Sequence, residues 1–149
     1  AGSLRAEGGS TMAADAWLAG IIERWRSQRP HVPLATRIDC GDPAPTLVAD
    51  TTLEQAIHNL INNAADADPA GIECEAGVDD AELVVRVLDR GPGMPVDEAA
   101  PRSPGQGLGI GLLLAGSAAE RCGGSIRFAP RPGGGTVATL SLPLANLQP

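Results

Sequence analysis

Three clusters in this 149-residue chain combine residue types and spacings that could do chemistry. The first is Asn59, Asn63 and Asp66. Stepping about 100° per residue around a helix from Asn59 places Asn63 at about 40° and Asp66 at about −20°. Leu53, Ile57, Leu60, Ile61 and Ala64 fall on the opposite side. One face of that helix is core, and the other lines up two amides and a carboxylate. An amide oxygen is a sound magnesium ligand where phosphates supply most of the charge. A solvated polar face accounts for the same residues, although two Asn at i, i+4 are unusual because Asn forms helices poorly. The second cluster is Asp89-Arg90-Gly91-Pro92-Gly93-Met94. An Asp leaving a buried strand can accept a hydrogen bond from an amine, and the following glycines let a flat ring approach the backbone. A tight turn uses the same residues. The third is Gly105-Gln106-Gly107-Leu108-Gly109-Ile110-Gly111-Leu112, running into a helix. Backbone N–H groups at such a start make a phosphate cradle. A flexible linker is the competing reading, yet glycines alternating with apolar residues at a helix start are costly unless used. Five residues past Gly105 lies Ile110, and five past Gly107 lies Leu112, so the dinucleotide fingerprint G-x-G-x-x-G is absent.

Composition removes several chemistries. All eleven basic residues are arginines. Without lysine there is no P-loop, no protein-kinase strand lysine and no Schiff base. Phosphate charge must be met by magnesium, backbone N–H groups or arginine. The net charge of −7, with no basic patch, argues against nucleic acid as a partner. Cys40, Cys74 and Cys122 form no C-x-x-C pair, so zinc is not expected and reduced, buried thiols are. No apolar run is long enough to span a bilayer. The chain opens on Ala1 rather than Met, which reads as a piece of a longer protein.

These clusters need elements to hold them. Residues 1–9 read as a flexible lead-in and residues 10–149 as one domain. Asp15 is placed to cap a helix to about residue 27, with Trp17, Leu18, Ile21, Ile22 and Trp25 at helical spacing. Residues 32–38 and 46–49 read as strands. Thr51-Thr52-Leu53-Glu54 is a capping box with Thr51 as N-cap, opening a helix to about residue 67 that stops at Pro69. Strands are expected over 72–76 and 83–88, then a long loop over 89–108, a helix over 109–121, and strands over 125–129 and 136–142. The connections over 77–82 and 130–135 are too short for parallel crossovers. The fold class is therefore α/β: a two-layer sandwich, its mixed and mostly antiparallel sheet carrying helices on one face.

Taken in order, the clusters resemble the sensor histidine kinases. Asn59-Leu60-Ile61-Asn62-Asn63-Ala64 looks like their N box, Asp89-Arg90-Gly91-Pro92-Gly93 like the G1 box, and residues 105–112 like the G2 box. Gly135-Thr136 before an alternating strand resembles the closing segment. The likeness covers about residues 10–144 and implies the GHKL superfamily with its Bergerat ATP-binding fold. Residues 63–69 are similar to RegB/PrrB-type redox-responsive kinases.

The resemblance implies ATP and Mg2+ as ligands. Asn63 would hold the metal. Asp89 would accept from the adenine amine between Gly91 and Gly93, and Thr136 would reach adenine through water. Gly105, Gly107, Leu108, Gly109, Ile110, Gly111 and Leu112 would wrap the phosphates. Asn59 would sit beside the reaction. ATP-hydrolysing relatives carry Glu there, and an amide cannot activate water as a base. A neutral imidazole needs no such base, so Asn59 favours transfer to histidine. An ATPase or serine kinase of the same fold, such as an anti-sigma factor, is the nearest rival, and a partner-binding module without turnover is a third reading.

The chain also departs from the family. Asp66 stands where a basic residue is common, with Arg90 or Arg102 as candidates to replace it. Residues 94–104 hold no aromatic, so the F box is missing. Neither His58 nor His31 has a phosphoacceptor context. The resemblance therefore implies further partners: a dimerisation domain bearing the acceptor histidine, and a response regulator downstream. The fragment itself is expected to be a monomeric cytoplasmic domain of an inner-membrane protein.

Overall fold

The computed structural model describes residues 10–92 and 109–149. The elements run β1 (Thr11–Ala13), α1 (Ala14–Gln28), β2 (Leu34–Asp39), β3 (Thr46–Val48), α2 (Thr51–Ala67), β4 (Ile72–Asp79), β5 (Glu82–Asp89), α3 (Gly109–Arg121), β6 (Ser125–Pro130) and β7 (Thr136–Pro143), then a 3₁₀ turn at Leu144–Asn146. Five strands form one sheet in the order β2-β4-β5-β7-β6, while β1 and β3 pair separately. β2 is parallel to β4, and the other pairs in the large sheet are antiparallel. The parallel pair is joined by the long crossover through β3 and α2, which is the length such a connection needs. The helices cover one face of the sheet, as the α/β sandwich reading requires.

Alternation decides which strand residues meet the helices. Leu83, Val85 and Val87 of β5, and Ala138, Leu140 and Leu142 of β7, are buried. Against them α2 lays Leu53, Ala56, Ile57, Leu60, Ile61, Ala64 and Ala65. Burying each Leu or Ile contributes about 1.5–3 kcal/mol. α1 adds Trp17, Leu18, Ile21, Ile22 and Trp25, all buried. The two tryptophans supply bulk to an aliphatic core, but each brings an indole N–H that needs an acceptor.

Two helix starts differ from the sequence reading. Asp15 does not cap α1: the N-cap is Ala13, with no side-chain bond, and Asp15 only accepts from the adjacent Ala16 N–H at 2.7 Å. Pairing of β1 with β3 carries the chain into α1 instead. Nor is Thr51 the cap of α2. Asp50 takes that position, accepting from Thr52 and Leu53 N–H at 2.7 and 3.1 Å. Glu54, freed from a capping box, accepts from Trp17 Nε1 at 2.9 Å. β4 also runs past residue 76 to Asp79, and β2 starts only at Leu34, after the turn holding Pro30 and Pro33. The β4–β5 hairpin turns on Asp80 and Ala81, both with positive φ.

Candidate nucleotide site

Among the described residues, only two polar side chains are buried: Asp89, 4% exposed, and Thr136, 7% exposed. They come from strands 47 positions apart and are direct partners across the β5–β7 ladder. Both continue the core-facing rows of their strands, one step past Val87 and Ala138. A carboxylate is thus set at the end of an apolar surface. The Asp89 carboxylate accepts from Gly91 N–H at 2.9 Å, and from no other described residue. A buried carboxylate with so few donors has unused acceptor capacity.

The corner after Asp89 is held from two sides. Arg90 N–H donates to Asp68 Oδ2 at 2.9 Å, tying β5 to the end of α2. The Arg90 guanidinium donates to the carbonyls of Pro132 and Gly134 at 3.1 and 3.3 Å, tying it to the β6–β7 hairpin. Gly91 passes so near α2 that a Cβ there would lie 2.6 Å from the Ala67 carbonyl oxygen. Gly135, at φ +106°, would place a Cβ within 2.0 Å of the Asp89 carbonyl oxygen. No side chain fits either position. Gly93 lies outside the described residues.

α2 brings Asn59 and Asn63 to a half-buried position beside the core stripe. Asn59 Oδ1 accepts from Gln55 Nε2 at 3.1 Å. Asn59 also lines a groove of about 370 Å³ between α2 and α3, with Thr52, Gln55, Leu114, Ser117 and Arg121. The Asn63 amide has no hydrogen-bond partner among the described residues, so its oxygen is available to a cation. Asp66 departs from the polar row. It is exposed and takes Arg29 Nη1 at 2.9 Å. The basic residue missing three positions after Asn63 is not replaced by Arg90, whose guanidinium holds the hairpin carbonyls. Arg102 lies outside the described residues.

Of the third cluster, Gly105, Gly107 and Leu108 lie outside the described residues. Gly109, Ile110 and Gly111 form the first turn of α3, where the sequence places the helix start, and Leu112 packs partly buried against the core.

Residues 49–146 match the family described as histidine kinase-, DNA gyrase B-, and HSP90-like ATPase. The chain belongs to this family. It is 34% identical over 113 residues to the C4-dicarboxylate transport sensor protein DctS of Rhodobacter capsulatus, covering 67% of this chain and 17% of that protein. It is 33% identical over 150 residues to the sensor histidine kinase CitA of Klebsiella pneumoniae, covering 89% and 27%. In structure it superposes on the catalytic domain of histidine kinase ThkA with a TM-score of 0.73 at 19% identity, covering 91% of this chain and 96% of that one. By its sequence matches it is an ATPase-family domain of the kind that sensor kinases carry. It spans under a third of those two relatives' length.

In this ATPase-family domain, one set of contacts escaped the sequence reading. Glu54, His58, Asn62 and Asp66 recur every four residues along α2, and all four meet α1 or its C-cap Arg29. Trp17 and Arg24 bond Glu54, Gln28 meets His58, Trp25 and Arg29 bond Asn62, and Arg29 bonds Asp66. The signal was present in the two tryptophans on α1's apolar face, whose N–H groups require acceptors. Burial of His58, helped by the Arg24 charge, lowers its pKa below 6.5. Burial pushes the Cys74 thiol up to about 12, so that cysteine is an inert core residue. Among the described residues no acidic, His or Cys cluster could by itself hold a metal ion, and no helix is long and apolar enough to cross a membrane.

Proposed function

We propose that this domain binds ATP with magnesium and passes the γ-phosphoryl group to a histidine carried elsewhere in its parent protein. The observation that carries the reading is the buried pair Asp89 and Thr136. Asp89 would accept from the adenine amine, while Gly91 keeps the backbone low enough for the ring to lie beside it. Thr136 would reach the ring through water. Asn63, whose amide has no hydrogen-bond partner among the described residues, would hold magnesium, which when bound would neutralise phosphate charge that no lysine can meet. Gly105, Gly107, Leu108, Gly109, Ile110, Gly111 and Leu112 would enclose the phosphates, and the start of α3 favours negative charge.

Asn59 supports a kinase rather than a hydrolase. Its amide can orient an oxygen but cannot take a proton from water. A neutral imidazole nucleophile needs no such base. His58 is not that nucleophile, since both ring nitrogens are engaged between Gln28 and Asn62. The acceptor would lie on a dimerising domain of the parent, with a response regulator downstream. Use of ATP and of such partners would put the domain in the cytoplasm.

Calorimetric titration of the chain with ATP, with and without magnesium, tests the nucleotide site. The expected result is binding that magnesium tightens. No binding at millimolar ATP would sink the reading.

A further inference from the structure

The polar chain between α1 and α2 includes none of the residues assigned to the nucleotide, yet it has a defined hub. Asn62 Oδ1 accepts from Trp25 Nε1 at 2.9 Å and from Arg29 Nη1 at 3.3 Å. With its oxygen committed to two donors, the amide must turn Nδ2 the other way. There His58 Nδ1 stands at 3.3 Å, and His58 Nε2 lies 3.0 Å from Gln28 Oε1. A neutral ring with its proton on Nε2 satisfies every contact: Asn62 donates to Nδ1, and Nε2 donates to Gln28. Trp25 is 0% exposed, so its N–H has no water to fall back on.

The geometry matters because Asn62 shares its helix turn with the site residues. It lies about 60° around α2 from Asn59 and about 100° from Asn63. Apolar packing sets the roll of a helix through shape alone, because burial itself is non-directional. Beyond Leu60 and Ile61, the last turn of α2 meets the core through small residues, Ala64 and Ala65. Hydrogen bonds are directional. A roll of about 20° would carry atoms about 6 Å from the helix axis through about 2 Å, on the cylinder a helix describes. That displacement is large beside the roughly 1 Å that reacting groups tolerate.

We propose that Asn62 is a positioning residue that sets the roll of α2 against α1 through Trp25, Arg29 and His58, and so aims Asn59 and Asn63 at the phosphates. The proposal rests on Asn63 as the magnesium-side ligand.

The test is calorimetric ATP binding by Asn62→Leu, Asn62→Asp, Trp25→Phe and Asn63→Ala beside the unaltered chain, each with magnesium and with chelator. Asn62→Leu should lose about tenfold of the magnesium-dependent tightening, as a displaced ligand would. Its affinity without magnesium, which Asp89 sets, should stay within about twofold, because that site is not in contact with Asn62. Asn62→Asp keeps the acceptor for Trp25 and Arg29 and should restore most of the tightening. Trp25→Phe keeps an aromatic side chain in this buried position and removes one donor, and should show a smaller loss in the same sense. It also serves should Asn62→Leu not fold. Full tightening in both Asn62→Leu and Trp25→Phe overturns the proposal. So does equal weakening with and without magnesium, which marks a merely structural residue. If Asn63→Ala leaves the tightening intact, the ligand assignment itself fails, and the aim ascribed to Asn62 falls with it.

Discussion

Asp89 stands where a carboxylate is costly, buried at the end of two apolar rows with one backbone donor. A hydrogen bond to a charged group is worth about 1.5–3 kcal/mol. Asp89→Asn should therefore weaken ATP roughly ten- to hundredfold while the fold persists. Calorimetry with ATP and GTP checks this, and an unchanged preference for ATP would remove the adenine role. Asn63→Ala should abolish the tightening of ATP by magnesium, read in the same instrument. His58 makes a separate prediction about stability. Burial lowers its pKa below the ordinary 6.5, so the unfolded chain binds its proton first as pH falls. The stability this residue contributes is therefore present above pH 6.5 and lost as pH drops through 6.5 toward the depressed folded value. Denaturant titrations at about pH 5.5 and 7.5 should show that slope, and His58→Gln should flatten it. An equal slope in the variant would assign the effect to other groups.

At the scale of elements, the sequence was most readable where periodicity is strong. Leu53, Ile57, Leu60, Ile61 and Ala64 form one stripe, and the structure buries all of them. Caps were less readable, because Asp50 and Thr51 are both good N-caps and neighbouring β1 and β3 decide where the chain enters the helix. The β4–β5 hairpin shows the same limit. Its acidic composition marked a turn, but not that Ala81 would take φ 64°. An L side chain there is strained by about 1–2 kcal/mol. Ala81→Gly should relieve that strain, less the entropy a new glycine costs, for a net gain of about 0.5–1 kcal/mol. Thermal unfolding measures it, and a lower melting temperature would mean the turn carries no such strain. Gly91 and Gly135 point the other way, since each admits no Cβ against a carbonyl oxygen.

At the scale of the whole molecule, the domain should do nothing sustained with ATP alone. Asn59 offers no base for water, so steady phosphate release by the isolated chain should stay near background. Adding the parent's histidine-bearing domain should produce an acid-labile phosphoprotein, and chelating magnesium should prevent it. Steady hydrolysis without an acceptor would favour the ATPase reading. The sequence by itself determined the order of the clusters, the helical stripe that divides α2 into core and polar faces, and the chemistries that a lysine-free chain cannot perform. These depend on local period and residue type. Only the tertiary structure decided that Asp89 and Thr136 lie side by side, because strand pairing joins residues far apart in sequence. It alone showed Asp66 turned to Arg29 and Asn62 turned to Trp25. A helical wheel gives the angle of a residue about its own axis, but which neighbour waits at that angle is set by how the helices pack.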